Sequence, residues 1–138
     1  MKNDKLVSKD KGFIDDAVVV IMNLCHDTIH AEFSYNSTKD KLWLLVVNES
    51  RKDRTELLDM VISGKTELFN NTNVIDLKDI ETDNSDFWCI SKHSLIISCG
   101  YTELGVRCLS MGNLKLAEYF YAKSIKYLDL FYSINKLK

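Results

Sequence analysis

Residues 101–129 read YTELGVRCLSMGNLKLAEYFYAKSIKYLD, and the fold turns on this stretch. Two amphipathic segments flank a Met111-Gly112-Asn113 break, and the second carries small residues at regular spacing. That is the pattern of a helical hairpin. Glycine enters the left-handed backbone of a helix end without a Cβ penalty, and an asparagine side chain accepts from the free N–H groups that open the next helix. Gly112 and Asn113 stand in that order.

The spacing Tyr101, Leu104, Gly105, Cys108, Gly112, Ala117, Tyr121, Ser124 resembles a single tetratricopeptide repeat, whose pattern asks for aromatic, Leu-Gly, aromatic, Gly, Ala, aromatic and Ala at those offsets. The resemblance implies two antiparallel helices brought close by small residues at 105, 117 and 124. It departs at Cys108, where an aromatic is usual, at Ser124, where Ala is usual, and at Asp129, where Pro is usual. No second copy follows at the repeat period, and stacked repeats normally need about three units. What the resemblance implies is therefore hairpin geometry rather than a peptide-binding array.

The chain has 138 residues, 46% hydrophobic and 28% charged, the size and balance of one globular domain with a substantial core. Proline is absent and glycine scarce, which favours long helices over a turn-rich β fold. Net charge is −2 with both signs mixed along the chain, so the basic footprint of a nucleic-acid binder is missing. The longest apolar run, Ala17 to Met22, is far short of the roughly 20 residues of a membrane helix. Cys25, Cys89, Cys99 and Cys108 form no C-x-x-C pair and read as reduced thiols of a cytosolic protein. With no secretory signal at the N-terminus, a cytoplasmic location is expected, with no membrane and no nucleic acid as partner.

In chain order the expectation is a charged, flexible tail over residues 1–11, then one helical domain over 12–138. A first helix runs from Phe13 to Phe33, with Ile14, Ala17, Val18, Ile21, Cys25, Thr28, Ile29 and Phe33 as its buried stripe. Ser37 or Thr38 caps a second helix from Lys39 to Ser63, which Gly64 stops. Residues 64–84 form a crossover loop, and helices over 85–110 and Leu114–Ile134 complete an all-α, four-helix bundle-like domain.

The second helix holds an anomaly. From Asn48 to Glu56 it reads NESRKDRTE, with no apolar side chain. Nine residues make about two and a half turns, so some of these side chains must point where the flanking leucines point. Arg51 and Arg54, one turn apart, are candidates to hold a phosphate or carboxylate. His26 and His30 form an i, i+4 pair suited to a divalent metal, with Glu49 as a third ligand from the second helix. Cys89 and His93 make another i, i+4 pair on the third. The bridged Glu-x-x-His pairs of di-iron bundles are absent, as are a Gly-rich phosphate loop and the Arg-then-His spacing of HEPN-type nucleases.

The fourth helix carries Tyr119, Phe120, Tyr121, Tyr127, Phe131 and Tyr132, more aromatics than one buried stripe needs. Tyr119 and Tyr127 are expected to face outward as a partner-binding surface. The functional expectation is a non-enzymatic interaction protein without a cofactor, joining a protein partner or a second copy as a homodimer through this aromatic helix. The alternative is a bundle with a divalent-metal or anion site between the first two helices.

Overall fold

The computed structural model describes residues 8–64, 75 and 87–137. The rest of the expected tail and crossover loop lies outside the described residues. Of the tail, Ser8 is buried and Lys11 already opens the first helix.

Among the described residues the fold is built on four long helices: α1 (Lys11–Thr38), α2 (Leu42–Ser63), α3 (Phe87–Ser110) and α4 (Leu114–Ile134). No strand occurs among the described residues. The all-α expectation holds. α1 starts at Asp10, whose side chain accepts from the Phe13 N–H at 2.9 Å, satisfying one of the four free donors of the first turn. It overruns the expected Ser37/Thr38 boundary because both hydroxyls bond back to carbonyls of the preceding turn, and the helix ends with Lys39 in the left-handed region. Asp40 then takes over the expected capping role, accepting from Leu42 N–H at 3.0 Å. Gly64 closes α2 at φ 67, its N–H on the Met60 carbonyl.

Between α3 and α4 the Asn113 N–H reaches the Cys108 carbonyl at 2.9 Å and the Gly112 N–H reaches Leu109 at 3.1 Å. This is the Schellman pair of a helix end, with Gly112 at φ 80 supplying the left-handed residue. Asn113 then accepts from Leu116 N–H at 3.0 Å and starts α4. The hairpin is closed by small residues: a Cβ on Gly105 would stand 2.5 Å from Tyr121 Cε1. Ser124 accepts and exchanges hydrogen bonds with Ser98 and Thr102.

α1 packs on α2 and antiparallel to α3, while α4 packs on α3. Across α1 and α3, Arg107 Nε meets Asp16 Oδ2 at 2.5 Å and Gly100 leaves room for the Val20 side chain. Thr28 and Ser50 hydroxyls join α1 to α2 at 2.6 Å. The stripe of α1 that enters the core is Phe13, Ala17, Val20, Leu24, Asp27, Thr28, Ala31 and Ser34. This corrects the expected stripe: Val18, Ile29 and Phe33 are exposed. α1 is apolar on two faces, and the inner one is the face whose small and polar residues find partners on α2 and α3.

Candidate functional site

The core register of α2 runs Val46, Glu49/Ser50, Asp53, Glu56/Leu57, Met60, all buried. That of α4 runs Leu116, Tyr119/Phe120, Lys123, Lys126/Tyr127, Leu130. Both are uninterrupted three- and four-residue periods in which charges occupy core positions. The acids of α2 therefore face the lysines of α4. Asp53 is the hub: Lys123 Nζ donates to its Oδ1 at 2.6 Å, and Lys126 Nζ and the Tyr127 hydroxyl donate to its Oδ2 at 2.7 and 2.6 Å. Lys126 also donates to Glu49 at 2.8 Å, and the Tyr119 hydroxyl donates to Glu56. Lys123 is 0% exposed and Lys126 1%.

Three carboxylates thus face two ammonium groups, with surface Lys52 at 3.5 Å from the outer oxygen of Glu49 as a third cation. Burial holds the Glu56 carboxyl above its ordinary range, against the Tyr119 hydrogen bond and the Lys123 charge, which pull it down. Burial likewise raises the hydroxyls of Tyr119, Tyr127 and Tyr101, helped by the nearby carboxylates. Tyr119 and Tyr127 act as neutral donors to the acids of α2. In the seam Glu49, Asp53, Glu56, Lys123 and Lys126 each meet a neighbouring opposite charge or a hydroxyl. What it does chemically is hold α2 and α4 in one register, since a slip of one residue would bury unpaired ions.

The seam accounts for several expected site residues. Glu49, expected beside His26 and His30, faces α4 and is taken by Lys126. Tyr119 and Tyr127, expected on the surface, are buried with their hydroxyls on the acids of α2. The reason is the α4 register, which turns them inward with the two lysines. Arg51 is exposed and Arg54 half-buried, and it is the acids of their segment that turn inward. The signal was present in the sequence as Glu49-x3-Asp53-x2-Glu56 against Lys123-x2-Lys126, both continuing the period of flanking core residues.

The histidines gather elsewhere. His26 and His30 of α1 meet His93 of α3, with ring centroids 4.7 Å apart for His26 and His93, 6.2 Å for His30 and His93, and 6.3 Å for His26 and His30. His26 is exposed and the other two half-buried. His93 Nδ1 is buried without a hydrogen-bond partner, and burial, with the charges of His26, Lys92 and His30, lowers its pKa to about 4. Among the described residues, no three His, Cys, Asp or Glu side chains stand ready to hold a metal ion.

Among the described residues, Asp27 is the other buried polar group with an orphan atom. Its Oδ2 accepts from Ser94 at 2.9 Å, while Oδ1 has no partner, and burial pushes the carboxyl well above its usual range. A carboxyl raised on folding stabilises fully below its unfolded pKa of about 3.9 and loses that contribution as pH climbs to the folded value, at most about 1.4 kcal/mol per pH unit. Asp27→Asn removes this dependence. Urea unfolding across acid to neutral pH should show the variant equal to wild type near pH 3 and progressively more stable above it.

The outward side of α3 is apolar. Trp88 is 63% exposed, Leu95 36% and Val106 49%, with Cys99 exposed between them. Lys92 and Glu103, both exposed, flank the stripe on one edge, and Leu114, Ile125 and Tyr132 are exposed on adjoining α4. Among the described residues no helix is long and apolar enough to cross a membrane. No family model matches the chain, and no match is found among curated proteins or among solved structures.

Proposed function

We propose that this is a non-enzymatic helical interaction protein whose interaction is with a second copy of itself through the outward side of the α3/α4 hairpin. The observation that carries the reading is that the exposed side of α3 is self-complementary about residue 97. Trp88 and Val106 lie nine residues to either side of it, Leu95 and Cys99 two residues to either side, and Lys92 and Glu103 five and six. A two-fold axis across two antiparallel α3 helices keeps each residue on its own edge and reverses its height. Trp88 then meets Val106 of the other copy, Leu95 meets Cys99, and Lys92 meets Glu103, each twice. That is the isologous arrangement of a symmetric dimer.

The tetratricopeptide-like spacing fits this use, because such hairpins bury a remaining apolar face by stacking on another helical pair. Ile125 and Tyr132 of α4 would border the contact, in place of the buried Tyr119 and Tyr127.

The test is mass in solution by light scattering over a concentration series. Wild type is expected as a dimer. Lys92→Glu places acid against acid twice and is expected to give monomer, as is Glu103→Lys; the double exchange restores the dimer. Both substitutions sit on the surface and leave the core intact. A wild type that stays monomeric throughout, or a dimer indifferent to both single reversals, removes the proposal.

A further inference from the structure

We infer that His26, His30 and His93 form a binding site for one zinc-class divalent ion at the α1/α3 surface. Imidazole is a preferred ligand for zinc and its neighbours in the first transition row. Two histidines at i, i+4 on one helical face chelate well because one turn sets their separation. Here a third is supplied from the antiparallel helix, which fixes its height. Asp16 with Arg107, Val20 with Gly100, and Asp27 with Ser94 hold α1 and α3 in that register.

The distances are close to those required. With zinc–nitrogen bonds of about 2.0–2.1 Å and the ring centre roughly 1.1 Å behind the nitrogen, two ligand centroids stand about 4.5–5.2 Å apart at bond angles between square and tetrahedral. His26 and His93 already fall in that span at 4.7 Å. His30 stands about 1 Å further out than that span, at 6.2 Å from His93 and 6.3 Å from His26. An inward rotation of its side chain closes the set.

A second observation points the same way. His93 Nδ1 is a buried nitrogen without a hydrogen-bond partner, and such an atom is a cost that folded proteins ordinarily avoid. Beside two other imidazoles, a metal ion would bring His93 a partner where its Nδ1 has no hydrogen bond. With His26 at the surface, the remaining coordination position is open to water.

The test is calorimetric titration of the full chain with zinc alone, repeated on His26→Asn and His93→Asn, one change on each helix. One equivalent is expected to bind wild type. Each variant should bind at least 100-fold more weakly, since loss of an outer partner alone costs about 10–100-fold. Cys25→Ser and Cys89→Ser are expected to bind as wild type does. Because His26 is exposed, its variant keeps the fold and isolates the ligand role should His93→Asn unfold. No saturable binding, or binding unaltered by His26→Asn, overturns the assignment, and loss on changing the cysteines instead would move the metal to the thiols and overturn it equally. The result is independent of dimer formation, which the charge exchanges on α3 report.

Discussion

Asp53→Ala is expected to cost about 3–5 kcal/mol of folding stability, a large part of the roughly 5–15 kcal/mol that holds a domain of this size together. The reason is the company Asp53 keeps. Its two oxygens receive two ammonium groups and a hydroxyl within 2.6–2.7 Å. Without them Lys126 retains Glu49, while Lys123 loses the carboxylate oxygen at 2.6 Å and has Glu56 at 3.7 Å. Removing the nearest carboxylate from a buried ammonium is among the most expensive changes a core can carry. Urea unfolding should show a lowered midpoint with little change in slope. The companion experiment separates pairing from packing. In the double variant Asp53→Ala, Lys123→Met the ammonium is gone as well, so the loss should fall short of the sum of the singles by about 0.5–3 kcal/mol. Strict additivity would mean that the two residues do not share their energy, contrary to the geometry.

Phe120→Ala is expected to lose a similar amount, about 3–5 kcal/mol, for an unrelated reason. Phe120 is fully buried where three helices meet: its ring lies 5.8 Å from Phe13 of α1, 6.0 Å from Tyr101 of α3 and 5.4 Å from Tyr119 on its own helix. Truncation removes apolar burial and leaves a void that rigid ring neighbours cannot fill, so both the transfer and the cavity penalty apply. Phe120→Leu keeps most of the volume and should lose clearly less. If alanine and leucine cost the same, the ring stacking rather than the filled volume is the source of the stability. The two large effects share a weak salt response. Asp53 and its partners are shielded from solvent and Phe120 carries no charge, whereas the proposed dimer contact between Lys92 and Glu103 should weaken with salt.

The four helices were legible, and so were the ends at Gly64 and Gly112–Asn113, because they rest on local chemistry; the end of α1 was not, since Ser37 and Thr38 bond back into it rather than capping α2. Gly112, Asn113 and Gly64 are residues whose backbone or side chain suits one position at a helix terminus, and α4 occupies Leu114–Ile134 as its periodicity requires. Gly105 was legible for the same reason, since closeness of two helices needs a residue without a side chain. The polar run of α2 was half legible. Its length around the helix required some charges to turn inward, but which ones depends on the register of the flanking core residues, and what they meet depends on a helix more than 60 residues away in the chain.

The histidines show the same division. Their i, i+4 spacing on α1 is a property of the sequence, yet the third partner is His93, not Glu49, because α1 lies antiparallel to α3 and α2 turns Glu49 to Lys126. α1 itself is apolar on two sides, and periodicity alone favours neither. The sequence by itself determined the helices, their boundaries at Gly64 and Gly112–Asn113, and the hairpin of α3 with α4, because those are decided within a few residues by backbone conformation and hydrogen bonding. Only the tertiary structure decided that Asp27, Glu49, Asp53, Lys123 and Lys126 are core residues and that Val18, Ile29 and Phe33 are not. Burial of a charge is favourable only when the opposite charge arrives from another helix, and that pairing is not a property of either segment alone.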